Sequence, residues 1–249
     1  MPTLRKRFEA FIETMPGYES VDELLRGDAR HGLKRADYLL GNRAVIVEQK
    51  VLEVDPGPKA QAFMDHFMEE RGVVLYGQCT SDAFFAGHPD AERHKRRLYL
   101  ALTRRLEEIV SDADKQTAST RGLFSIPDAG GLLVIINEGA PTLDVNVVAH
   151  RVGQMLNNIG PDGGSRYRNN SAVLIIQECH MLDVRHPTTL LPLVCVRGPN
   201  WQDHLEVDGV AGDLLRRWSA FNGLPLVETG QGLPLEALSR LRRTAPDCG

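Results

Sequence analysis

The chain has 249 residues, 42% of them hydrophobic, and a formal net charge of −4 at pH 7. This length can form one domain with a substantial buried core, and the negative charge argues against a protein that coats nucleic acid without specificity, since such proteins are strongly basic. No apolar run approaches the roughly 20 residues that span a bilayer, and the N-terminus lacks the apolar stretch of a secretory signal. The cysteines follow neither a metal-ligand nor a disulfide-framework spacing, so we expect a cytoplasmic protein with no membrane partner.

Hydrophobic periodicity predicts helices and strands that alternate along the chain. Helical spacing of apolar residues predicts helices at 4–15, 59–70, 91–116, 144–156, 211–221 and 234–243. A hairpin is predicted at about 35–53, and continuous apolar runs predict buried strands at 132–136, 172–176 and 190–196. A strand, a helix and a strand in succession favour a right-handed parallel crossover. The sequence therefore predicts an α/β fold with a mixed β-sheet flanked by helices.

The predicted hairpin carries three charged residues in an otherwise apolar segment. Gly41-Asn42 is a pair favoured in two-residue turns, and such a turn places Leu40 opposite Arg43. Because side chains alternate with period 2, Asp37, Glu48 and Lys50 then emerge on one face, with the two acids as diagonal neighbours roughly 7–8 Å apart. A four-residue loop preserves this parity, whereas a three-residue loop destroys it.

Two readings of these charges are open. Glu and Lys two residues apart on a strand are commonly a solvated surface pair that contributes about 0–1 kcal/mol. Against this, β-branched and aliphatic residues lie on both faces of the strand, with Val45 and Val47 on one side and Ile46 and Leu52 on the other. Such a strand is normally buried on both faces, where charges are costly unless they are paired or bind a metal.

The arrangement resembles the active-site hairpin of the PD-(D/E)xK nuclease superfamily. In that superfamily an acidic residue ends one strand and the next strand carries (D/E)-x-K, here Asp37 followed by Glu48-Gln49-Lys50. Ala36 stands where the superfamily pattern has proline. The resemblance implies a restriction-endonuclease-like core at about 20–180 within a single domain spanning 1–249. It also implies a helical insertion at about 59–120 and a C-terminal extension at about 188–249.

The resemblance implies a hydrolase that cleaves phosphodiester bonds with Mg²⁺ or Mn²⁺. Asp37 and Glu48 supply the oxygen ligands that such ions prefer, and the backbone carbonyl of Val47 or Gln49 is a further candidate ligand. Lys50 lies beside two carboxylates and a phosphate, which favours its protonated form. We therefore expect Lys50 to orient water and to stabilise charge on the phosphate rather than to act as a neutral base.

Two further residues are candidates for the catalytic site. Many superfamily members add a glutamate from the helix before the hairpin, and Glu23 is the nearest here, although a capping box that begins at Ser20 gives it a structural role. Some branches add a glutamine or lysine from a following helix. Gln116 lies on the inward stripe of the long predicted helix, where an amide needs a partner. The alternative is an amide exposed to solvent at the end of that helix.

Basic residues on the long helix and in a glycine-rich loop are candidates for contacts with nucleic acid, although such charges are usually only a solvated surface. They are Arg93, Arg97, Arg104, Lys115, Arg166 and Arg168.

The sequence therefore predicts a metal-dependent nuclease, for which DNA is favoured over RNA as the partner. The first alternative is a catalytically inactive nuclease-fold protein that acts as a nucleic-acid-binding or assembly subunit. The second is an unrelated cytoplasmic α/β protein whose hairpin charges lie on its surface. Homodimer formation, or binding of a protein partner through the C-terminal region, is a further hypothesis.

Overall fold

The computed structural model describes residues 2–27, 34–74, 80–182, 191–226 and 241–243, and the described chain forms a six-stranded mixed sheet flanked by helices. This confirms the predicted α/β class. In spatial order the sheet contains β1 (Glu19–Ser20), β2 (Tyr38–Leu40), β3 (Val45–Leu52), β4 (Gly130–Asn137), β5 (Ala172–Gln177) and β7 (Leu193–Arg197). Strands β3, β4 and β5 are parallel, and the other neighbours are antiparallel. A separate antiparallel pair contains β6 (His180–Leu182) and β8 (Leu241–Arg243).

Seven α-helices and a short 3₁₀ helix at Trp201–Asp203 are present in the described ranges. The α-helices are α1 (Leu4–Ile12), α2 (Val21–Leu24), α3 (Gly57–Glu69), α4 (Ser81–Phe84), α5 (Ala91–Phe124), α6 (Val145–Leu156) and α7 (Leu205–Phe221). None of the helices in this part of the chain has the length and apolarity needed to cross a membrane. Helices α3, α4 and α5 lie in the connection between the adjacent parallel strands β3 and β4, and this is the segment predicted as an insertion.

The two faces of the sheet are buried by different helices. Alternate residues of β3, including Val45 and Val47, join one apolar core together with α1 and α7. On the opposite face, Leu52 joins a core with residues of α5 and α6, and Ile46 packs in a smaller cluster with α2. The central strands are therefore apolar on both sides because both sides are covered, as the sequence indicated.

The hairpin loop is longer than the two residues predicted. Leu40 pairs with Val45, so the loop comprises the four residues 41–44, and Gly41, Asn42 and Arg43 all have positive φ. The Arg43 guanidinium forms hydrogen bonds of 2.6–3.2 Å with both carboxylate oxygens of Glu19, which fixes the loop against the edge strand. The prediction that Leu40 lies opposite Arg43 is wrong. The parity of the side chains survives because two residues were added.

Helix α5 continues to Phe124, beyond the predicted end at residue 116. Its last turns bury Thr117 and Thr120, polar residues whose hydroxyls weaken the apolar pattern in the sequence. The Thr120 hydroxyl has a structural role, because it accepts a 2.9 Å hydrogen bond from the backbone N–H of Ala36 just before β2. Gln116 therefore lies inside the helix and not at its end.

Within the described residues, the C-terminal segment contributes to the core through β7 and α7. Strand β7 pairs with β5 at the sheet edge, and Leu214 and Trp218 of α7 pack against Phe8 and Phe11 of α1. The predicted helix at 234–243 is wrong at its last three residues, which form β8, and its remainder lies outside the described residues.

Candidate metal and phosphodiester site

The structure brings Asp37, Glu48 and Lys50 to the same face of the hairpin. The strand pairing ends at Tyr38 and Val47, and the backbone N–H of Asp37 also donates to the Val47 carbonyl, so Asp37 lies just beyond the regular ladder. Its carboxylate is close enough to Glu48 to raise the pKa of Glu48. Lys50 lies two residues further along the same face of β3.

The side chain of Asp37 makes the last hydrogen bond between the two strands of the hairpin. Its backbone N–H donates to the carbonyl of Val47 (3.2 Å), and its Oδ2 accepts a 2.7 Å hydrogen bond from the backbone N–H of Gln49. In a strand the N–H and C=O of one residue point to the same edge, so the Gln49 carbonyl also faces the side of Asp37. This carbonyl, rather than that of Val47, is the backbone oxygen available beside the carboxylates.

Glu48 is the most deeply buried charged group of the hairpin, with only 1% of its surface exposed. Burial first, and then the neighbouring Asp37 carboxylate, raise the pKa of Glu48 to about 8, against the opposing effects of Lys50 and Gln116. Among the described residues, neither of its oxygens has a partner with full hydrogen-bond geometry, although the Lys50 ammonium forms an ion pair with Oε1. A cation that replaces the lost hydration would favour the charged carboxylate.

The pKa of Asp37 is shifted in the same direction as that of Glu48. Burial raises the pKa of Asp37, while the Gln49 N–H and the Lys50 ammonium lower it. The Asp22 carboxylate at the start of α2 raises it further. Two neighbouring carboxylates with raised pKa values form an electrostatically unfavourable pair that a divalent ion would relieve.

Gln116 is placed beside this pair by α5. Its side-chain amide donates a 2.7 Å hydrogen bond to the backbone carbonyl of Arg35, two residues before Asp37, and it also lowers the pKa of Glu48. The inward orientation expected for this amide is therefore present, and the alternative of a solvated amide at the helix end does not fit. We name Asp37, Glu48, Lys50 and Gln116 the carboxylate site.

The structure does not bring Glu23 into this site. Glu23 is exposed on α2, and its backbone N–H donates to Ser20 Oγ in the cap that the sequence predicted. Its neighbour Asp22 is the residue of α2 that acts on Asp37, and it also pairs with the nearly buried Arg35 side chain at 2.7 Å. The sequence analysis missed Asp22 and Arg35. The sequence did contain a signal for Arg35. It lies two residues before Asp37, so the two side chains share a face if the predicted strand extends back to Arg35.

The predicted basic residues do not converge on the carboxylate site. At 1.5 Å per residue, Arg93 lies about 35 Å from Gln116 along α5. Lys115 is adjacent to Gln116 in sequence but is exposed and 3.8 Å from Asp112. The other four have local partners: Arg97 with Phe63, Arg104 with Glu108, Arg166 with Tyr167, and Arg168 with Asp162.

The glycine-rich loop lies against the same helix, α5. Asn169 bonds both oxygens of Asp114, at 2.7 Å from its backbone N–H and at 2.9 Å from its side-chain amide. Asp114 is only two residues before Gln116. Residues two apart on a helix do not share a face, so this contact places the loop that carries Arg166 and Arg168 beside a different face of α5 from that of Gln116.

The donor set of the carboxylate site fits a small divalent ion. Two carboxylates and one backbone carbonyl are oxygen donors, and Mg²⁺ is commonly held by one or two carboxylates with water and substrate phosphate completing its shell. The Lys50 side chain is 26% exposed, so the carboxylate site is not fully closed to solvent. Comparison of the chain with protein-family models, with curated proteins and with solved structures gave no match.

Proposed function

We propose that the protein is a metal-dependent nuclease of the PD-(D/E)xK superfamily, which hydrolyses phosphodiester bonds in DNA more readily than in RNA. The observation that carries the proposal is that the hairpin brings the half-buried Asp37 next to the fully buried Glu48, with Lys50 paired to Glu48. A pair of acids without a cation is costly at this depth, so a surface ion pair explains the arrangement poorly.

Asp37, Glu48 and the Gln49 carbonyl would hold Mg²⁺ or Mn²⁺. When bound, such an ion lowers the pKa of water and neutralises charge on the phosphate. Lys50 would orient the attacking water and stabilise the negative charge that develops on the phosphate oxygens. Gln116 would hold the Glu48 carboxylate in place while its amide remains tied to the backbone of Arg35.

The substrate-binding surface in this proposal includes the exposed side of the carboxylate site and extends across α5 to the glycine-rich loop. Lys115, Arg166 and Arg168 would contact phosphates there, whereas Arg93 and Arg97 lie too far along α5 to act on the same bond. Association through the C-terminal region stays a hypothesis. The packing of α7 against α1 restricts such an association, because it already buries much of the surface of α7.

We also propose a cytoplasmic location. Cys179 and Cys195 are unpaired thiols, and burial raises the pKa of Cys195 to about 11, so that thiol stays protonated at neutral pH. Protonated and partly buried thiols are compatible with a reducing compartment. Cys79 and Cys248 lie outside the described residues.

The test is a cleavage assay on linear, circular and single-stranded DNA and on RNA, with Mg²⁺, Mn²⁺ or a chelator. We expect Asp37→Ala and Lys50→Ala to lose at least about 100-fold in cleavage rate, because each removes a group that acts on the reacting phosphate. Lys59→Ala removes an exposed lysine at the start of α3 and serves as the matched control. Circular dichroism verifies that each variant is folded.

Two results would contradict the proposal that the protein is a nuclease. Metal-independent binding without cleavage by the wild type would favour the inactive nuclease-fold alternative. Absence of both binding and cleavage would favour an unrelated α/β protein.

A further inference from the structure

A second cluster of metal-ligand side chains lies where the chain enters α5, about 33 Å along that helix from Gln116. It contains His88, Asp90 and His94, and one ligand atom from each lies within 4.8 Å of the others. Neither imidazole belongs to the carboxylate site, and the proposed nuclease chemistry does not use them.

The backbone holds these three residues in place without a metal. The N–H of His88 donates to the carbonyl of Phe85 (3.1 Å), and the N–H of Ala91 donates to the carbonyl of His88 (3.1 Å). The N–H of His94 donates to the carbonyl of Asp90 (3.0 Å), which places the two side chains one helical turn apart on the same face. The cluster is therefore a preformed turn and not a chance encounter of mobile side chains.

The ligand atoms of the cluster are available. Asp90 is the N-cap residue of α5, yet its carboxylate makes no capping hydrogen bond. His88 Nδ1 accepts the backbone N–H of Asp90 at 2.8 Å, which leaves Nε2 as its free ligand atom and fixes the ring orientation. His94 Nδ1 is buried and has no hydrogen-bond partner among the described residues.

Aromatic side chains surround the two imidazoles and restrain them further. The ring of His94 stacks on Phe85 and meets the edge of Phe67, at centroid distances of 5.8 and 4.9 Å. The rings of His88 and His94 are 4.7 Å apart and nearly perpendicular.

We propose that His88, Asp90 and His94 form a binding site for Zn²⁺ or a similar first-row transition-metal ion. Two imidazoles, one carboxylate and a water complete the tetrahedral coordination typical of zinc. Metal–ligand bonds of about 2.0–2.2 Å bring ligand atoms to about 3.3–3.5 Å from each other, so small side-chain rotations would close the cluster. Mg²⁺ does not suit this site, because it disfavours imidazole ligands.

The ion would stabilise a part of the molecule whose core, among the described residues, contains few buried apolar side chains. In the described chain, helices α3 and α4 and the start of α5 share a small cluster of buried side chains, built on Phe67, Phe85 and Leu98. A metal that joins the turn before α5 to its first helical turn would fix the packing of Phe85 and Phe67 around His94. The role we assign is therefore structural.

The test is titration of the metal-stripped full-length protein with Zn²⁺ by isothermal calorimetry, in buffer with excess Mg²⁺. Magnesium occupies an all-oxygen site but competes poorly for imidazole. We expect one equivalent of Zn²⁺ to bind per chain, and at least about tenfold weaker binding in both His88→Ala and Asp90→Asn. His66→Ala is the control, because His66 is an exposed histidine of α3 whose partner is Glu70.

Thermal unfolding gives a second readout that does not depend on nuclease activity. Zn²⁺ should raise the melting temperature of the wild type and of His66→Ala, and this increase should be lost in His88→Ala and Asp90→Asn. The proposal is overturned if the wild type takes up no stoichiometric Zn²⁺. It is also overturned if both variants, folded by circular dichroism, bind Zn²⁺ as tightly as the wild type.

Discussion

The buried carboxylate of Glu48 should make the metal-free protein less stable as pH rises. The pKa of Glu48 moves from an ordinary value of 4.5 to about 8 in the folded state, so between these values the folded protein holds a proton that the unfolded chain releases. Stability then falls with pH, since the state that binds more protons is favoured at low pH. At 1.36 kcal/mol per pH unit, the loss between pH 4.5 and 8 is at most about 5 kcal/mol.

Glu48→Gln removes this dependence because glutamine stays neutral with nearly the same shape. Urea unfolding in chelator at pH 5, 6, 7 and 8 should show similar free energies of unfolding for wild type and variant at pH 5. Above pH 5 the free energy of unfolding of the variant should exceed that of the wild type, and this difference should grow by up to about 1.4 kcal/mol per pH unit. Glu53→Gln, at the end of β3, is the matched control, because this carboxylate is 65% exposed and its variant should follow the wild type at every pH.

The opposite result would refute the electrostatic reasoning. That result is a wild type that becomes more stable than Glu48→Gln as pH rises. It would mean that the ion pair with Lys50 outweighs the cost of desolvation, and that the folded protein holds Glu48 charged without any metal. That outcome would make the hairpin charges a structural pair and remove the main support for a cation at this position.

Two further substitutions test how the site is supported. Thr120→Val should cost about 1–3 kcal/mol of unfolding free energy in urea titration, because the buried N–H of Ala36 loses its acceptor, and unchanged stability would show that this bond contributes nothing. Gly131→Ala should cost about 3 kcal/mol in the same assay, because a Cβ would lie 2.0 Å from the carbonyl oxygen of Asn169. Its control Gly209→Ala, where a Cβ meets nothing within 4 Å, should stabilise α7 by about 0.5–1 kcal/mol, and equal effects of both would contradict the packing described at β4.

The sequence predicted those parts of the fold that depend on local pattern. The buried strands β4 and β5 and the helix between them follow from continuous apolar runs and helical spacing, and their parallel pairing is confirmed. The predicted length of the hairpin loop was wrong because Gly41-Asn42 suits a two-residue turn. The longer loop is fixed by the contact between Arg43 and Glu19, residues that are 24 positions apart in the sequence. Local propensity contains no information about such a partner.

The same distinction applies to the carboxylate site. Asp37, Glu48 and Lys50 share a face because of strand periodicity, which is visible in the sequence. The roles of Asp22 and Arg35 depend on how α2 packs beside the hairpin, and the inward position of Gln116 depends on α5 continuing through the polar residues Thr117 and Thr120. These are tertiary contacts that no short window of sequence contains.

The connection through α5 has a consequence for the nascent chain. Asp37 and Glu48 meet through a hairpin closed by four residues, whereas Gln116 reaches the backbone of Arg35 across 81 positions, and Val45 pairs with Gly130 only after the whole crossover is made. A polypeptide that ends before α5 carries both acids but lacks the helix that covers them. Deep desolvation of the acids, and any ion affinity that depends on it, therefore belongs only to a chain long enough to have completed this crossover.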